Sequence, residues 1–410
     1  MENIELSAAT WHRINTLETN SRRHTQSRLQ NLRTGYSYDD LTLRPGPTQS
    51  ESRDQISTRS RLCGDFWLEV PIVGANMNMV GARMMVEMSK AGGAAVAPRN
   101  NTIAQEVELV KAVKAVEVTR EFMEENPLAS LDLSGERLLA LASIGCTGDY
   151  VERAEALTRA GVDVLVVDTP HAHNNKIMPA ALLQLRALMS KLKRPLPLIV
   201  GNVSDDRGAR FLGLLAEEGL CQAIKVGQGP GSFCETRVIA GFGVPQATAV
   251  DDAVMALESM GLIDLPVIAD GGIKNSGDMA KAFGLKASSV MIGGLLTPLL
   301  ESEAPVVEQN GRLFVLGQGN ASRGVMDSRG KGRTAEGIEV LIPLEANERR
   351  SVRHQMRLWQ DGIRSGMGSV GAESMPEFYD KAEFLLITTA AYREGVPHAA
   401  FQPGSIVVSQ

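Results

Sequence analysis

Cysteine is scarce in this chain: four residues in 410, Cys63, Cys146, Cys221 and Cys234, and no CxxC pair among them. That spacing excludes a disulfide framework and a zinc site, and makes reduced thiols in a cytosol the expectation. Long hydrophobic runs are missing too. Nothing approaches the roughly 18 consecutive apolar residues of a membrane span, and the N-terminus, MENIELSAATWHRINTLETNSRR, lacks the apolar core of a secretory signal. A cytoplasmic location follows as an expectation. A basic excess is also absent: the net charge is -6 with the signs intermixed. No nucleic acid partner is expected from that balance, and a small anionic ligand fits better.

What the chain does have is 43% hydrophobic and only 22% charged residues, enough to bury a core as one large domain or two ordinary ones. From about Val70 to Gly294 short strand-like runs alternate with helical spacing. The runs are PIVGA (71–75), GAAVA (93–97), LLALASI (138–144), DVLVVDT (163–169), PLIVGNV (197–203), AIKVG (223–227), PVIADG (266–271) and SVMIGG (289–294). Helical segments such as ARMMVEMSKAG, DYVERAEALTRAG and RGARFLGLLAEEG lie between them. Eight βα units predict an α/β fold, a (β/α)8 TIM barrel, with an open doubly wound sheet as the competitor. The barrel is preferred because Asn76, Arg99, Asp168, Asn202, Gly229, Asp270 and Gly293 all sit at or just past strand ends, where a barrel gathers them at one mouth.

Three pieces lie outside the repeat. Residues 1–35 read as a polar N-terminal arm. Residues 36–394 are expected to form the single barrel domain, including a Gly- and charge-rich flap at 317–345. Loops of that length at a barrel mouth are usually lids. Closing helices and a short strand are expected before a C-terminal tail at 395–410.

The chemistry concentrates at the last three units. Gly271 and Gly272 of IADGGI, Gly293 and Gly294 of MIGG, and the GPGS turn at 229–232 describe a three-sided phosphate cup, with Ser232 offering its hydroxyl. Each Gly pair alone is also plain turn chemistry. Cys234 ends the same turn. Backbone amides and a nearby helix N-terminus would lower its thiol pKa toward neutrality and make it reactive, whereas an isolated cysteine is more often an inert buried thiol. Asp168 has a bland alternative as a helix N-cap. The His171-x-His173 pair has no third ligand at useful spacing, so contacts to a cofactor or substrate are the better reading.

These motifs resemble the IMP dehydrogenase / GMP reductase family: YDDLTLRP, PIVGANMNMV, VDTPHAHNN, IVGNV, KVGQGPGSFCETR, GFGVPQATAV, VIADGGIKNSGDMAKAF, VMIGG and TAEG, spread from about Tyr36 to His398. The resemblance implies a barrel enzyme in which Cys234 attacks C2 of a purine mononucleotide, with Thr236, Glu336 and Arg99 as its catalytic companions. It further implies substrate contacts from Asn76, Met77, Asn202, Gly231, Ser232, Asp270, Gly271, Gly272, Gly293, Gly294 and Gly319. Asp168, Thr169 and His171 are expected on the side of the nicotinamide cofactor. A homo-oligomer, commonly a tetramer, is implied as well. In the dehydrogenase branch, carbonyls matching Gly229, Gly231 and Cys234 bind K+.

Two branches share the covalent step. A dehydrogenase oxidises IMP with NAD and hydrolyses the adduct with an Arg-Tyr pair on its flap; a reductase expels ammonia from GMP and takes hydride from NADPH. Arg323, Arg329 and Arg333 lie in the flap, and none precedes a tyrosine. Arg99 to Leu138 is too short for a regulatory CBS pair. The expectation is a GMP reductase using NADPH, with an IMP dehydrogenase lacking CBS domains as the alternative. AGGAAVAP and VDTPHAHNN look at least as much like the dehydrogenase branch. Departures from the family pattern keep a modified or deoxy purine nucleotide open: Pro98-Arg99 replaces His-Lys, Asn78 replaces an aspartate, and Gln318, Gly319 and Asn320 replace Tyr-x-Gly-Met. A non-catalytic nucleotide-binding regulator and a flavin-dependent barrel oxidoreductase are the readings from other classes.

Overall fold

Consecutive apolar residues make good strands where both faces of the sheet are covered, and eight such runs do so here. The computed structural model describes residues 6–19, 32–48, 50–327, 334–344 and 349–396. Residues 1–5 and 20–31 of the expected arm, 328–333 (with Arg329 and Arg333) and 345 of the flap, and 397–410 of the tail lie outside the described residues. The strands are β1 (Ile72–Gly74), β2 (Ala94–Ala97), β3 (Leu141–Ile144), β4 (Val164–Asp168), β5 (Leu198–Val203), β6 (Ala223–Val226), β7 (Val267–Asp270) and β8 (Ser289–Ile292). They pair in parallel in chain order, and β8 closes on β1 through Val290–Ile72, Met291–Val73 and Ile292–Gly74. The expected (β/α)8 barrel is what forms.

Its outer layer consists of α1 (Ala82–Lys90), α2 (Ile103–Lys114), α3 (Tyr150–Ala160), α4 (Ile177–Leu192), α5 (Asp206–Glu217), α6 (Gln246–Glu258), α7 (Ser276–Gly284) and α8 (Val352–Val370). Side-chain caps start several of them: Thr102, Asp205, Asn275 and Ser351 each accept a backbone N–H from the first turn, satisfying donors the helix cannot. The segment RLWQDGIRSGMG, expected among the closing helices, is part of α8, the eighth barrel helix. The flap separates it from β8.

Strand side chains alternate between the lumen and the helix layer. Leu141, Val166, Ala223, Ile268 and Met291 meet inside the barrel, whereas Leu165, Val167, Val200 and Ile224 face the helices. A hairpin, Ser60–Cys63 with Phe66–Leu68, closes the floor by inserting Leu62, Phe66 and Leu68 into the lumen cluster. Two residues further along four strands the same inward positions turn polar: Ser143, Asp168, Lys225 and Asp270. The apolar plug thus ends one layer below the mouth.

Two outlying segments carry regular structure of their own. Within the N-terminal arm, Ala8–Thr19 is a helix packed on α5. Leu6, Thr10 and Ile14, spaced four apart on one face, are buried; Ser7 and Thr10 donate to the Glu218 carboxylate, and Arg13 pairs with Glu217 at 2.5 Å. The flap, expected as a loop, has its ends in an antiparallel sheet of Val306–Gln309, Arg312–Gln318 and Glu339–Pro343, with a short helix at Arg323–Asp327. After α8, Phe384–Leu386 pairs with Leu41–Leu43. No helix among the described residues is long and apolar enough to cross a membrane.

Ile14 is fully buried, so Ile14→Ala should lower stability by about 2–5 kcal/mol in a denaturant titration. An unchanged midpoint would show that the N-terminal helix does not share the barrel's core.

Candidate active site

The polar layer at the mouth is organised by one buried cation. Lys225, 1% exposed, projects from β6 into the lumen. Its Nζ donates to Asp168 Oδ1 at 2.9 Å, to Asp270 Oδ2 at 2.6 Å and to Asn202 Oδ1. Asn202 donates in turn to Asp270 Oδ2 at 2.9 Å and to the Gly227 carbonyl at 2.6 Å, and Asn76 donates to Asp168 Oδ2 at 3.1 Å. Arg99 completes the set, its Nε 3.7 Å from Asp168. Six strand ends are therefore joined through side chains: those of β1, β2, β4, β5, β6 and β7.

Burial by itself would raise the Asp168 pKa. The Lys225 and Arg99 cations, with hydrogen bonds from Lys225 and Asn76, outweigh it and hold the carboxyl well below the usual carboxylate range. Burial likewise works to lower Lys225, and its two carboxylate partners reverse that, keeping the ammonium charged beyond the usual lysine range.

Above this layer the glycine turns come together. Gly271 and Gly272, at φ +88° and +76°, adopt a backbone open mainly to glycine. A Cβ on Gly271 would lie 3.2 Å from the Gly231 nitrogen, and one on Gly294 only 2.5 Å from Ser232 Oγ. The turn after β6 thus contacts those after β7 and β8: Gly271 and Gly272 lie against Gly231 and Pro230, and Gly294 against Ser232. Met77 sits against Gly293.

The flap is seated on the cysteine loop. Phe233, buried, contacts Gly317, Gly319 and Gly337 of the flap; the Ile338 N–H donates to the Phe233 carbonyl at 3.0 Å and the Glu235 N–H to the Glu336 carbonyl at 2.7 Å. This backbone pairing delivers Glu336 to Thr236, two residues past Cys234. Cys234 Sγ donates to Thr236 Oγ1 at 3.2 Å, and Thr236 Oγ1 donates to Glu336 Oε2 at 2.9 Å. A thiol, a hydroxyl and a carboxylate stand in line, each half-buried. That line can pass a proton between the sulfur's surroundings and the carboxylate.

The remaining sequence-predicted residues divide. Thr169 is buried, and its hydroxyl donates to the Gly201 carbonyl at 3.2 Å, so it ties β4 to β5. His171 is exposed, within 3.0 Å of Gln228 Nε2 and edge-on to Phe242 at 5.8 Å. His173 stacks on Phe211 at 4.8 Å. Among the described residues no group of three or more His, Cys, Asp or Glu is placed to hold a metal. The Gly231 carbonyl accepts the Cys234 N–H at 3.0 Å. Sequence reading missed Lys225. Its signal is a lysine two positions after a lumen residue in an otherwise apolar strand, where a charge must be paired.

A closed (β/α)8 barrel with a cysteine, a glycine cup and a folded flap at one mouth is the architecture of a nucleotide-handling oxidoreductase family. The sequence profile of the IMP dehydrogenase / GMP reductase domain matches residues 35–398. Inosine-5'-monophosphate dehydrogenase of Escherichia coli K12 is 34% identical over 413 aligned residues, covering 90% of this chain and 80% of that protein. The same-named enzyme of Aquifex aeolicus is 39% identical over 275 residues, 64% of this chain and 52% of its own. The crystal structure of GMP reductase from Trypanosoma brucei in complex with guanosine 5'-monophosphate superimposes with a TM-score of 0.80 at 24% identity, over 90% of this chain and 99% of that one. The chain belongs to the IMP dehydrogenase / GMP reductase family, whose members are NAD(P)-dependent oxidoreductases of purine nucleotides.

Replacing Lys225 with Met would leave Asp168 and Asp270 without their cation. The expected cost at neutral pH is about 3–5 kcal/mol. The pH dependence has a definite sign. The Asp168 contribution is complete above an ordinary aspartate pKa of about 3.9 and is lost as pH falls below it; that of Lys225 is complete below about 10.4 and is lost as pH rises above it. Denaturant midpoints at neutral and acid pH should therefore differ in the wild type, and Lys225→Met should lose stability chiefly at neutral pH. A variant as stable as wild type would remove Lys225 from the centre of the mouth.

Proposed function

We propose that the protein is a GMP reductase: GMP + NADPH + 2H+ → IMP + NH4+ + NADP+. The observation that carries this reading is the Cys234–Thr236–Glu336 line, combined with a flap that contains no tyrosine between residues 317 and 345. The Cys234 thiolate adds to C2 of the purine, an electrophilic carbon between two nitrogens. The bond from C2 to the exocyclic amine then breaks, and the amine leaves as ammonia with a proton supplied along Thr236 and Glu336. A covalent thioimidate on Cys234 remains. Reduced nicotinamide, when bound, supplies the hydride that adds to C2; the C2–S bond breaks and IMP leaves.

The other residues fit this assignment. The cup of Gly231, Ser232, Gly271, Gly272, Gly293 and Gly294 receives the 5'-phosphate, and Asp270, held by Lys225 and Asn202, meets the ribose hydroxyls. Met77, Asn76 and Gly319 border the base. His171 and Asp168 face the cofactor, with Arg99 beside them. Asp168 and Asn202 spend much of their bonding capacity on Lys225, so their role is to shape the site as much as to touch ligand. A reductase must exclude water, and a flap folded directly onto the Cys234 loop serves that end. Val238, Ile239 and Phe242 expose apolar surface just beyond Cys234, which suits burial in a homo-oligomer such as a tetramer, in the cytosol.

A second reading has its own support: the curated relatives named above are dehydrogenases at 34–39% identity. That reading is IMP oxidation with NAD, with K+ on the carbonyls of Gly229, Gly231 and Cys234. The two predict opposite absorbance changes at the reduced-nicotinamide band. GMP with NADPH should give a fall, and IMP with NAD none, with no requirement for K+. A rise with IMP and NAD that depends on K+ would overturn the reductase, and silence in both assays would point to another purine nucleotide or to a regulator. Cys234→Ala should abolish turnover, and Thr236→Ala should slow it by roughly 10²–10⁴-fold.

A further inference from the structure

The flap is anchored to the Cys234 loop on one side of the mouth; on the opposite side it is held by a chain of carboxamides. Asn100, just past β2, uses both hydrogens of its single amide nitrogen: Nδ2 donates to Asn78 Oδ1 at 3.0 Å and to Asn320 Oδ1 at 2.9 Å. Asn320, in the flap turn, donates its own amide to the Asn76 carbonyl at 3.0 Å. Asn78 and Asn320 are two of the positions at which the chain departs from the family pattern, and Asn100 follows a third, Arg99. Distant in sequence, they meet as one cluster.

The loop that carries Asn100 is fixed from behind. The Arg99 N–H donates to Ser143 Oγ at 2.9 Å, and Ser143 donates to the Ala97 carbonyl at 2.8 Å. Arg153 Nη1 donates to the Asn101 carbonyl at 3.1 Å and to Glu106 Oε2 at 2.5 Å, inside the helix layer. Thr102 and Gln105 cap the start of α2 reciprocally. With its backbone held, the Asn100 side chain has little freedom to lose when it bonds forward, so its two hydrogen bonds retain most of their value.

We propose that Asn100 is a positioning residue, a latch that holds the flap turn at Gly319–Ser322 over the mouth and so keeps the reacting centre closed during turnover. It touches neither nucleotide nor cofactor; it acts through Asn320 and the turn. The activity part of this proposal rests on the reductase reading, whereas the latch itself does not. Closure matters to the chemical step through water exclusion and alignment, so losing the latch should lower kcat more than it raises KM.

The test is Asn100→Ala, with Asn320→Ala approaching the same bond from the flap. Hydrogen exchange of peptides spanning 318–327 should quicken roughly tenfold in both variants, with the barrel strands unchanged. Under GMP and NADPH, kcat should fall by about tenfold with KM changed less than about twofold. Unchanged exchange in both variants would overturn the latch, as would a KM rise at constant kcat. If the wild type turns over neither nucleotide pair, the reductase reading fails and the exchange result still decides the latch.

Discussion

The mouth of this barrel depends on burying one ammonium group between two carboxylates. An unpaired lysine in the lumen would cost several kcal/mol, and so would an unpaired Asp168 or Asp270. Together, with Asn202 and Asn76 filling the remaining donor and acceptor sites, the three charges become tolerable. The arrangement also dictates position. Asp168 and Asp270 lie at the ends of β4 and β7, so a common contact to Lys225 on β6 fixes their separation across the barrel. Groups on the proposed cofactor and ribose sides are thereby set by one atom.

The rest of the site is layered on that frame. Below it the lumen is apolar and closed by the hairpin plug, so the lysine cannot reach water from the floor. Above it the glycine turns pack so closely that side chains at Gly271 or Gly294 would strike Gly231 or Ser232. The flap adds Glu336 by backbone pairing to Phe233 and Glu235 rather than by a flexible side-chain contact. Thiol, hydroxyl and carboxylate therefore arrive together as a consequence of strand-like pairing. Such pairing orients groups without loss of freedom at the moment of reaction.

Much of this was legible in the residues, and the parts that were not share a cause. The eight strands stood out because parallel strands buried on both faces read as apolar runs, as in VLVV at 164–167. The glycine cup and Cys234 stood out because GPGS, DGG and IGG follow such runs. The Ala8–Thr19 helix did not, since its buried face includes Thr10, whose hydroxyl accepts from Ser7 at 2.9 Å but donates to distant Glu218. Lys225 did not because its inward direction depends on strand parity, which boundaries one residue off would reverse. The flap sheet and the Asn78–Asn100–Asn320 chain depend on pairings between residues far apart, which local pattern cannot reveal. α8 was obscured by the flap inserted between it and β8.

The central claim is that this frame aims Cys234 at C2 of a purine nucleotide. It is tested most directly by quenching the enzyme with acid during turnover of GMP and measuring the mass of the Cys234 peptide. The account predicts a nucleotide bound to that peptide with its exocyclic amine lost, and none in Cys234→Ala. Sustained turnover with an unmodified Cys234 peptide at every quench time, or full activity after alkylation of that thiol, would contradict it.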